Sequence, residues 1–171
     1  MPIRLSLGID FIEVEKLEKK YKLLLPSAYK NFLAAHNGLY LADKSYAMLP
    51  LDTVDDSEVS FLVLFGIQLN NNNFELDYIN RFRDEIATMD KPFIIGEDPG
   101  GNFFLLNANG IDSSIYYWDR THLHLSSEGL PSYPEQDEEG DIYTCSKNFD
   151  KFYTTILSSV EGDTRIQKEQ L

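Results

Sequence analysis

Apolar residues near the start of the chain predict an amphipathic helix. From Glu13 to Leu24 they recur at steps of three and four positions, which places them on one helix face. Two acid–lysine pairs at i and i+4 would support the opposite face: Glu15 with Lys19, and Glu18 with Lys22. A helix over Glu13–Leu24 is therefore expected.

A second helix is predicted to begin at Pro26, because its fixed φ and missing N–H suit the first helical position. Tyr29 and Phe32 share its apolar face, and Asn37-Gly38 supplies a left-handed stop. His36 precedes that stop. We interpret it as a helix cap rather than a catalytic group, since a protonated imidazole would complement the negative helix end.

The middle of the chain predicts a strand and then a third helix. Val59–Ile67 is almost continuously apolar, which is typical of a strand buried on both faces. After a run of four asparagines, Leu76–Ile86 shows helical periodicity, and Pro92 ends the helix shortly afterwards. On its polar side Asp77 is placed to pair with Arg81.

The second half predicts an antiparallel meander followed by a closing helix. Its expected strands are Pro92–Gly96, Asn102–Leu106 and Ile115–Arg120, and its helix contains Phe149–Leu157. The turn Asp98-Pro99-Gly100-Gly101 joins the first two strands, with Gly100 expected at the positive-φ position. Ser126–Asp141 is expected to be a long loop. This mixed order predicts an α+β fold, with a mainly antiparallel central sheet flanked by helices.

Composition narrows the class of protein. A chain of 171 residues, 43% of them hydrophobic, is long enough for one core, and we expect residues 1–171 to form a single domain. The net charge of −13 disfavours nucleic acid and anionic membranes as partners. A single cysteine and an N-terminus without a signal-peptide pattern suggest a cytoplasmic protein.

Charge is unevenly distributed along the chain. Residues 1–51 carry seven Lys and Arg against five Asp and Glu, whereas residues 52–171 carry eight against 23. Glu135–Asp141 holds five acidic residues in seven positions, but its glycine is misplaced for an EF-hand calcium loop. The segment is interpreted as a solvated loop or a partner-facing one.

Candidate catalytic chemistry is sparse. His122 and His124 alternate along a strand end, but two ligands do not complete a metal site without Asp119 or Glu128. Nothing in the sequence orients Cys145 toward a histidine, so it is interpreted as packing rather than as a nucleophile. We expect no enzyme activity, no metal and no cofactor.

Several ordered motifs resemble the SUKH superfamily, which includes fungal cell-wall assembly regulators and bacterial immunity proteins. The resemblance extends from about Glu13 to Leu157. The positions that carry it are Pro26, Tyr29, Phe32, Asn37, Gly38, Gly96, Asp98, Gly100, Gly101, Trp118 and Asp119. Asn37-Gly38 stands where a double glycine is typical, and Glu97 is inserted between Gly96 and Asp98, so local turn shape is in question.

The resemblance implies a non-catalytic α+β protein whose motif residues are largely structural. Bacterial members bind and neutralise co-encoded toxin domains, often nucleases or deaminases. We therefore hypothesise that the chain neutralises a basic toxin; the alternative is a cytoplasmic regulator or scaffold that inhibits no toxin. The acidic residues expected to contact a partner are Asp52, Asp55, Asp56, Glu58, Glu135, Asp137, Glu138, Glu139 and Asp141.

Aromatic residues near those acids offer candidate anchors for a partner. Tyr133 lies within the acidic loop, and Trp118 ends the predicted strand that contains Tyr116 and Tyr117. Because strand side chains alternate between faces, Trp118 is either a core residue or an exposed anchor. The sequence leaves both alternatives open.

Overall fold

A computed structural model describes residues 3–42, 44–54, 56–120, 142–169 and 171 of the protein. Its strands are β1 (Ile3–Leu5), β2 (Leu39–Leu41), β3 (Ser45–Pro50), β4 (Glu58–Phe61), β5 (Val63–Leu64), β6 (Pro92–Glu97), β7 (Phe103–Asn107), β8 (Ile115–Trp118), β9 (Ile142–Ser146), β10 (Val160–Gly162) and β11 (Ile166–Lys168). Its α-helices are α1 (Phe11–Tyr21), α2 (Ser27–Ala35), α3 (Leu76–Ile79) and α4 (Phe149–Ser159).

The strands form two sheets. One has eight strands in the order β11-β1-β2-β5-β6-β7-β8-β9, and the other has three in the order β10-β3-β4. Only the β1–β11 pair is parallel among the described strands; all other pairs are antiparallel. The fold is α+β with a mainly antiparallel sheet, which confirms the predicted class.

The predicted meander is present as β6, β7 and β8. Its first turn differs in one detail, because Gly101 and not Gly100 has the positive φ, of 87°. The Asp98 carboxylate accepts hydrogen bonds from the backbone N–H groups of Gly100 and Asn102 at 2.7 and 2.9 Å, and the left-handed residue falls one position later than predicted. The strand boundaries otherwise follow the apolar pattern.

The prediction of one strand over Val59–Ile67 is wrong. The chain leaves the three-stranded sheet after Phe61 and enters the eight-stranded sheet at Val63, so β4 and β5 have different neighbours. Leu62 lies at the crossing, where its N–H donates to the Glu97 carbonyl at 3.1 Å. The segment remains buried because both sheets enclose the core. Its continuous apolar run therefore reflects burial and not a single continuous strand.

The first helix is shorter than predicted. α1 ends at Tyr21, and Lys22 takes a left-handed φ of 54°. The side chain of Glu18 does not reach toward Lys22, because it accepts a hydrogen bond from the Leu25 N–H at 2.7 Å. The predicted i,i+4 pairs are replaced by two others, Lys16 with Glu13 and Lys30 with Glu18.

The third helix also stops early. α3 has four residues and passes into a 3₁₀ turn over Asn80–Glu85. The buried Asn80 amide donates to the Leu76 and Ile94 carbonyls at 2.9 Å, and its oxygen accepts from the Ile94 N–H at 2.8 Å. These hydrogen bonds attach Asn80 to β6, and the α-helix does not continue beyond this point.

The predicted pair of Asp77 with Arg81 is not formed. Asp77 instead accepts hydrogen bonds from Lys20 and from the Tyr21 hydroxyl of α1. The Arg81 guanidinium lies over the ring of Tyr78, with 3.9 Å between its central carbon and the ring centroid. A contact with a distant helix therefore replaces the local pair that spacing suggested.

The predicted second and closing helices are both present, and they pack together. α2 follows Pro26, and the Asn37-Gly38 stop has φ values of 43° and 121°. Asn tolerates the left-handed region, so it replaces the first glycine of the usual pair. The ring centroid of Phe149 in α4 lies 5.0 Å from that of Tyr29 and 5.2 Å from that of Phe32.

Candidate partner-binding site

Two acidic side chains project from the connection between β3 and β4, and a third is on the first residue of β4. Asp52, Asp56 and Glu58 are all exposed, and none of them forms an ion pair with another described residue. We call residues 51–58 the acidic turn. Its carboxylates can attract a cationic partner, because no lysine or arginine of the described residues lies within ion-pair distance of them.

Two backbone hydrogen bonds close the base of the acidic turn. The N–H of Leu51 donates to the Ser57 carbonyl at 2.9 Å, and the N–H of Ser57 donates to the Val54 carbonyl at 2.9 Å. Leu51 is buried, with 4% of its surface exposed, so it anchors the turn in the core. A turn held at its base presents its charges with little loss of conformational entropy on binding.

A groove separates the acidic turn and the end of β3 from strand β9. It contains a cavity of about 310 Å³ lined by Thr53, Asn107, Tyr116, Ile142 and Thr144. A second cavity of about 230 Å³ follows, lined by Pro50, Asp52, Cys145, Ser146, Lys151 and Thr155. We call the two together the β9 groove. Asp52 and Thr53 place the acidic turn directly on its wall.

The walls of the β9 groove contain neutral polar and apolar side chains, together with the charged residues Asp52 and Lys151. The Tyr116 hydroxyl donates to the Asp112 carboxylate at 2.5 Å. Partial burial opposes ionisation of Asp112, but hydrogen bonds from Tyr116 and Ser114 outweigh it and lower the pKa of the carboxyl group. Asp112 is therefore ionised at neutral pH and fixes the Tyr116 ring at the groove.

Trp118 does not belong to this exposed surface. Only 2% of its surface is exposed, and its ring centroid lies 6.0 Å from that of Phe103. The guanidinium carbon of Arg120 lies 5.1 Å from the Trp118 ring. Trp118 is therefore a core residue and not an exposed anchor.

Several predicted contact residues lie outside the described residues. They are Asp55, Tyr133, Glu135, Asp137, Glu138, Glu139 and Asp141. His122 and His124, the pair considered for a metal, lie outside them as well. Their roles stay predictions. In the described ranges no group of three or more His, Cys, Asp or Glu residues is arranged to hold a metal ion.

The motif around Asp98 is a saturated hydrogen-bond cluster. One carboxylate oxygen accepts from the N–H groups of Gly100 and Asn102 at 2.7 and 2.9 Å. The other accepts from the Asn102 side-chain amide at 3.0 Å and the Tyr117 hydroxyl at 2.9 Å. Burial, reinforced by the Asp98 charge, raises the pKa of Tyr117, which therefore stays a donor. The cluster stabilises the β6–β7 turn.

The remaining motif residues adjoin that turn. Glu97 is the last residue of β6 rather than part of the turn, and burial next to Asp98 raises its pKa. The N–H of Arg120 donates to the Asn102 side-chain oxygen at 2.8 Å, and its guanidinium donates to the Gly101 carbonyl at 3.2 Å. Arg120 thus fixes the chain where it leaves β8.

The surroundings of Cys145 and His36 shift the pKa values of both side chains. Burial raises the pKa of the Cys145 thiol to about 12, so almost no thiolate is present at neutral pH. Burial and the nearby charge of Lys168 lower the pKa of His36. His36 occupies the cap position of α2, but the protonated imidazole predicted for that cap is disfavoured.

Sequence reasoning did not find the β9 groove. Its walls come from residues almost a hundred positions apart, and none of the threonines that line it belongs to a motif. One local feature points to it: Ile142–Ser146 is a run of five residues without a charge, between the acidic loop and a helix.

A family model described as SUKH_6, SMI1-KNR4 cell-wall, matches residues 12–153. The chain belongs to the SUKH family. The match contains α2, the Asp98 cluster and the acidic turn, whereas β1 and β11 lie outside it and pair with each other in the same sheet. No curated protein matches the chain significantly. The SUKH family is generally one of non-catalytic immunity and regulatory modules.

Among the described helices, none combines the length and the apolar character that crossing a membrane would require.

Proposed function

We propose that this SUKH protein is an immunity protein that binds and neutralises a basic toxin domain of the nuclease or deaminase kind. The observation that carries the proposal is the acidic turn, whose three exposed carboxylates have no cationic partner among the described residues. The proposal includes residues 1–171 as one functional domain acting in the cytoplasm, where an incoming toxin would find its substrate.

Electrostatics gives the proposed mechanism. A nuclease must attract phosphate, so the entrance to its active site carries positive charge. An inhibitor with a net charge of −13 is steered toward that entrance, and such steering raises association rates by about ten- to a thousandfold. Once bound, the inhibitor covers the entrance and excludes nucleic acid without forming a covalent bond.

The contact surface we propose has two parts. The acidic turn supplies Asp52, Asp56 and Glu58, together with Asp55. The second part is the acidic segment Glu135–Asp141, with Tyr133 as its aromatic anchor. Trp118 is omitted because its ring is buried. Support for the first part comes from exposure and missing ion pairs; the second rests on sequence alone.

Co-production in a bacterium tests the proposal. The product of the gene next to that of this chain is expressed with and without the chain, as the candidate toxin, and growth is measured. We expect the chain to restore growth and to purify with the toxin domain as a stable complex. Growth that stays arrested while both proteins are present in soluble form would contradict the proposal.

A regulatory role is the second candidate, and the cell-wall description of the matching family model favours it. In that case the chain would bind endogenous proteins without inhibiting a toxin. The two functions differ in one outcome: deletion of the gene would alter the growth or shape of unchallenged cells only if the chain is a regulator. An immunity gene would matter only in cells exposed to the toxin.

A further inference from the structure

Ile111 is the most exposed large hydrophobic residue in the described part of the chain. It has 92% of its surface exposed, and it lies in the connection between β7 and β8, residues 107–114, which we call the Ile111 loop. Leu24, with 61% exposed, contacts this loop, because a β-carbon on Gly110 would lie 2.9 Å from Leu24 Cδ1. Single exposed apolar residues are ordinary on protein surfaces, so the surroundings of Ile111 decide its role.

Hydrogen bonds organise the Ile111 loop. The Asn109 side-chain oxygen accepts from the N–H groups of Ile111 and Asp112 at 2.9 and 3.0 Å. The N–H of Leu24 donates to the Ala108 carbonyl at 2.8 Å, which attaches the loop to the chain that follows α1. An apolar side chain on a loop held in this way loses little conformational entropy when it is buried by a partner.

The Ile111 loop adjoins the β9 groove. Its first residue, Asn107, lines the cavity of about 310 Å³ together with Thr53 of the acidic turn. Tyr116 lines the same cavity, and its hydroxyl donates to Asp112 of the loop. Four residues separate Asn107 from Ile111, so their Cα atoms lie within about 14 Å of each other. A standard interface covers about 800 Å² of each partner, which is enough to include both the acidic turn and Ile111.

The charges around the Ile111 loop differ from those of the acidic turn. Three lysines adjoin the loop, and none of them forms an ion pair with a described residue, namely Lys22, Lys91 and Lys147. The first lies two positions before Leu24, and the other two accept hydrogen bonds from the loop through their backbone carbonyls. Two carboxylates, Asp90 and Asp112, lie among them, so the lysines are in excess. This part of the surface therefore suits an acidic contact.

We propose that Ile111 is the apolar anchor of the toxin complex, and that it enters a pocket of the toxin domain with carboxylates at its rim. This inference rests on the proposed function and adds a second point of contact beside the basic entrance that faces the acidic turn. Exposed charges mainly raise the association rate, whereas a buried apolar anchor mainly slows dissociation. A second copy of this chain suits the Ile111 loop less well, because the lysines of both copies would face each other.

The rate constants of binding test the anchor. The full chain and its variants are measured against the product of the neighbouring gene, which carries a substitution that abolishes its activity. We expect Ile111→Ser to raise the dissociation rate at least tenfold and to change the association rate less than threefold. The matched control is Ile12→Ser in α1, where 54% of the residue is exposed, and it should change both rates less than threefold. Equal dissociation rates for the two variants would overturn the inference but leave the proposed function standing.

Charge reversal tests the acidic rim of the pocket. One double variant carries Lys22→Glu and Lys147→Glu, and the control carries Lys44→Glu and Lys168→Glu, all at exposed positions without a described ion pair. Both make the net charge more negative by the same amount. We expect the first to weaken binding at least fivefold, although it makes the chain more acidic, while the control weakens it less than twofold. Equal or tighter binding by the first variant would overturn the inference.

Two further outcomes have a definite meaning. A concentration-dependent dimer of the free chain that Ile111→Ser abolishes would show that a second copy covers Ile111, and it would overturn the inference. Absence of any complex with the neighbouring gene product would contradict the proposed function itself, and this inference with it. Both Ile111→Ser and Ile12→Ser should keep the parent's melting temperature, because the two side chains are exposed.

Discussion

The Tyr117 hydroxyl donates a hydrogen bond of 2.9 Å to the Asp98 carboxylate and thereby joins β8 to the turn that follows β6. Asp98 accepts three further hydrogen bonds from Gly100 and Asn102, so its charge is balanced by four donors in a buried position. The residues of this SUKH motif therefore stabilise the turn between β6 and β7 and its attachment to β8.

Loss of the Asp98 carboxylate should be strongly destabilising. Asp98→Ala leaves four donors without their acceptor, and we expect it to lower the free energy of unfolding by about 4 kcal/mol. Tyr117→Phe removes one of these hydrogen bonds and should cost about 2 kcal/mol. Tyr46→Phe is the control, since its hydroxyl is exposed and, among the described residues, bonds to Glu161 alone. Urea denaturation measures all three; equal effects of the two tyrosine variants would contradict this account.

Asn37 combines a left-handed backbone with two buried hydrogen bonds. Its amide donates to the Ile67 carbonyl and accepts from the Ile67 N–H, both at 2.8 Å. Asn37→Gly removes the hydrogen bonds and should cost about 2 kcal/mol. Asn37→Ala adds the strain of a positive φ, about 1 kcal/mol more. If Asn37→Ala and Asn37→Gly have the same free energy of unfolding in chemical denaturation, alanine adds no strain at this position.

Tyr29 should behave in the opposite way to Tyr117. Its hydroxyl is fully buried and has no hydrogen-bond partner among the described residues. Because an unpartnered buried hydroxyl costs free energy, Tyr29→Phe is expected to raise the free energy of unfolding by about 1 kcal/mol. Thermal and urea unfolding check the sign. A loss of stability above that size would reveal a buried partner for the hydroxyl.

His36 should make stability depend on pH in one direction. Burial and Lys168 lower its folded pKa below the ordinary 6.5, so the unfolded chain binds the proton more readily. The contribution of neutral His36 is therefore present above pH 6.5 and is lost as the pH falls toward the folded pKa. Between pH 7 and 5 the native protein should lose stability relative to His36→Gln. A relative gain on acidification would contradict the lowered pKa.

Sequence patterns predicted those elements whose determinants are local. Pro26 and Asn37-Gly38 define the ends of α2 within a few residues, and alternating turns and apolar runs predict β6, β7 and β8. Each of these elements carries its own start and stop in adjacent residues. The α+β class followed from their order along the chain.

Other features depend on distant partners, which periodicity does not reveal. An apolar run reports that Val59–Ile67 is buried, but not that its neighbours change at Leu62. Asn80 shortens the third helix through Ile94, which lies 14 positions away. The groove brings together Thr53, which follows β3, and Thr144 of β9, which are far apart in the sequence. Patterns therefore predicted the acidic character of the site, and the tertiary fold determined its shape.

The central claim is that the acidic turn binds a basic partner. Its most direct test is the dissociation constant of the toxin complex, measured across salt concentrations for two triple variants. One carries Asp52→Asn, Asp56→Asn and Glu58→Gln; the control carries Glu15→Gln, Asp84→Asn and Glu161→Gln, which change the net charge equally at exposed positions elsewhere. We predict that the first variant binds at least tenfold more weakly and with a flatter salt dependence, while the control changes less than threefold. Equal affinities and salt slopes for both variants would contradict the claim.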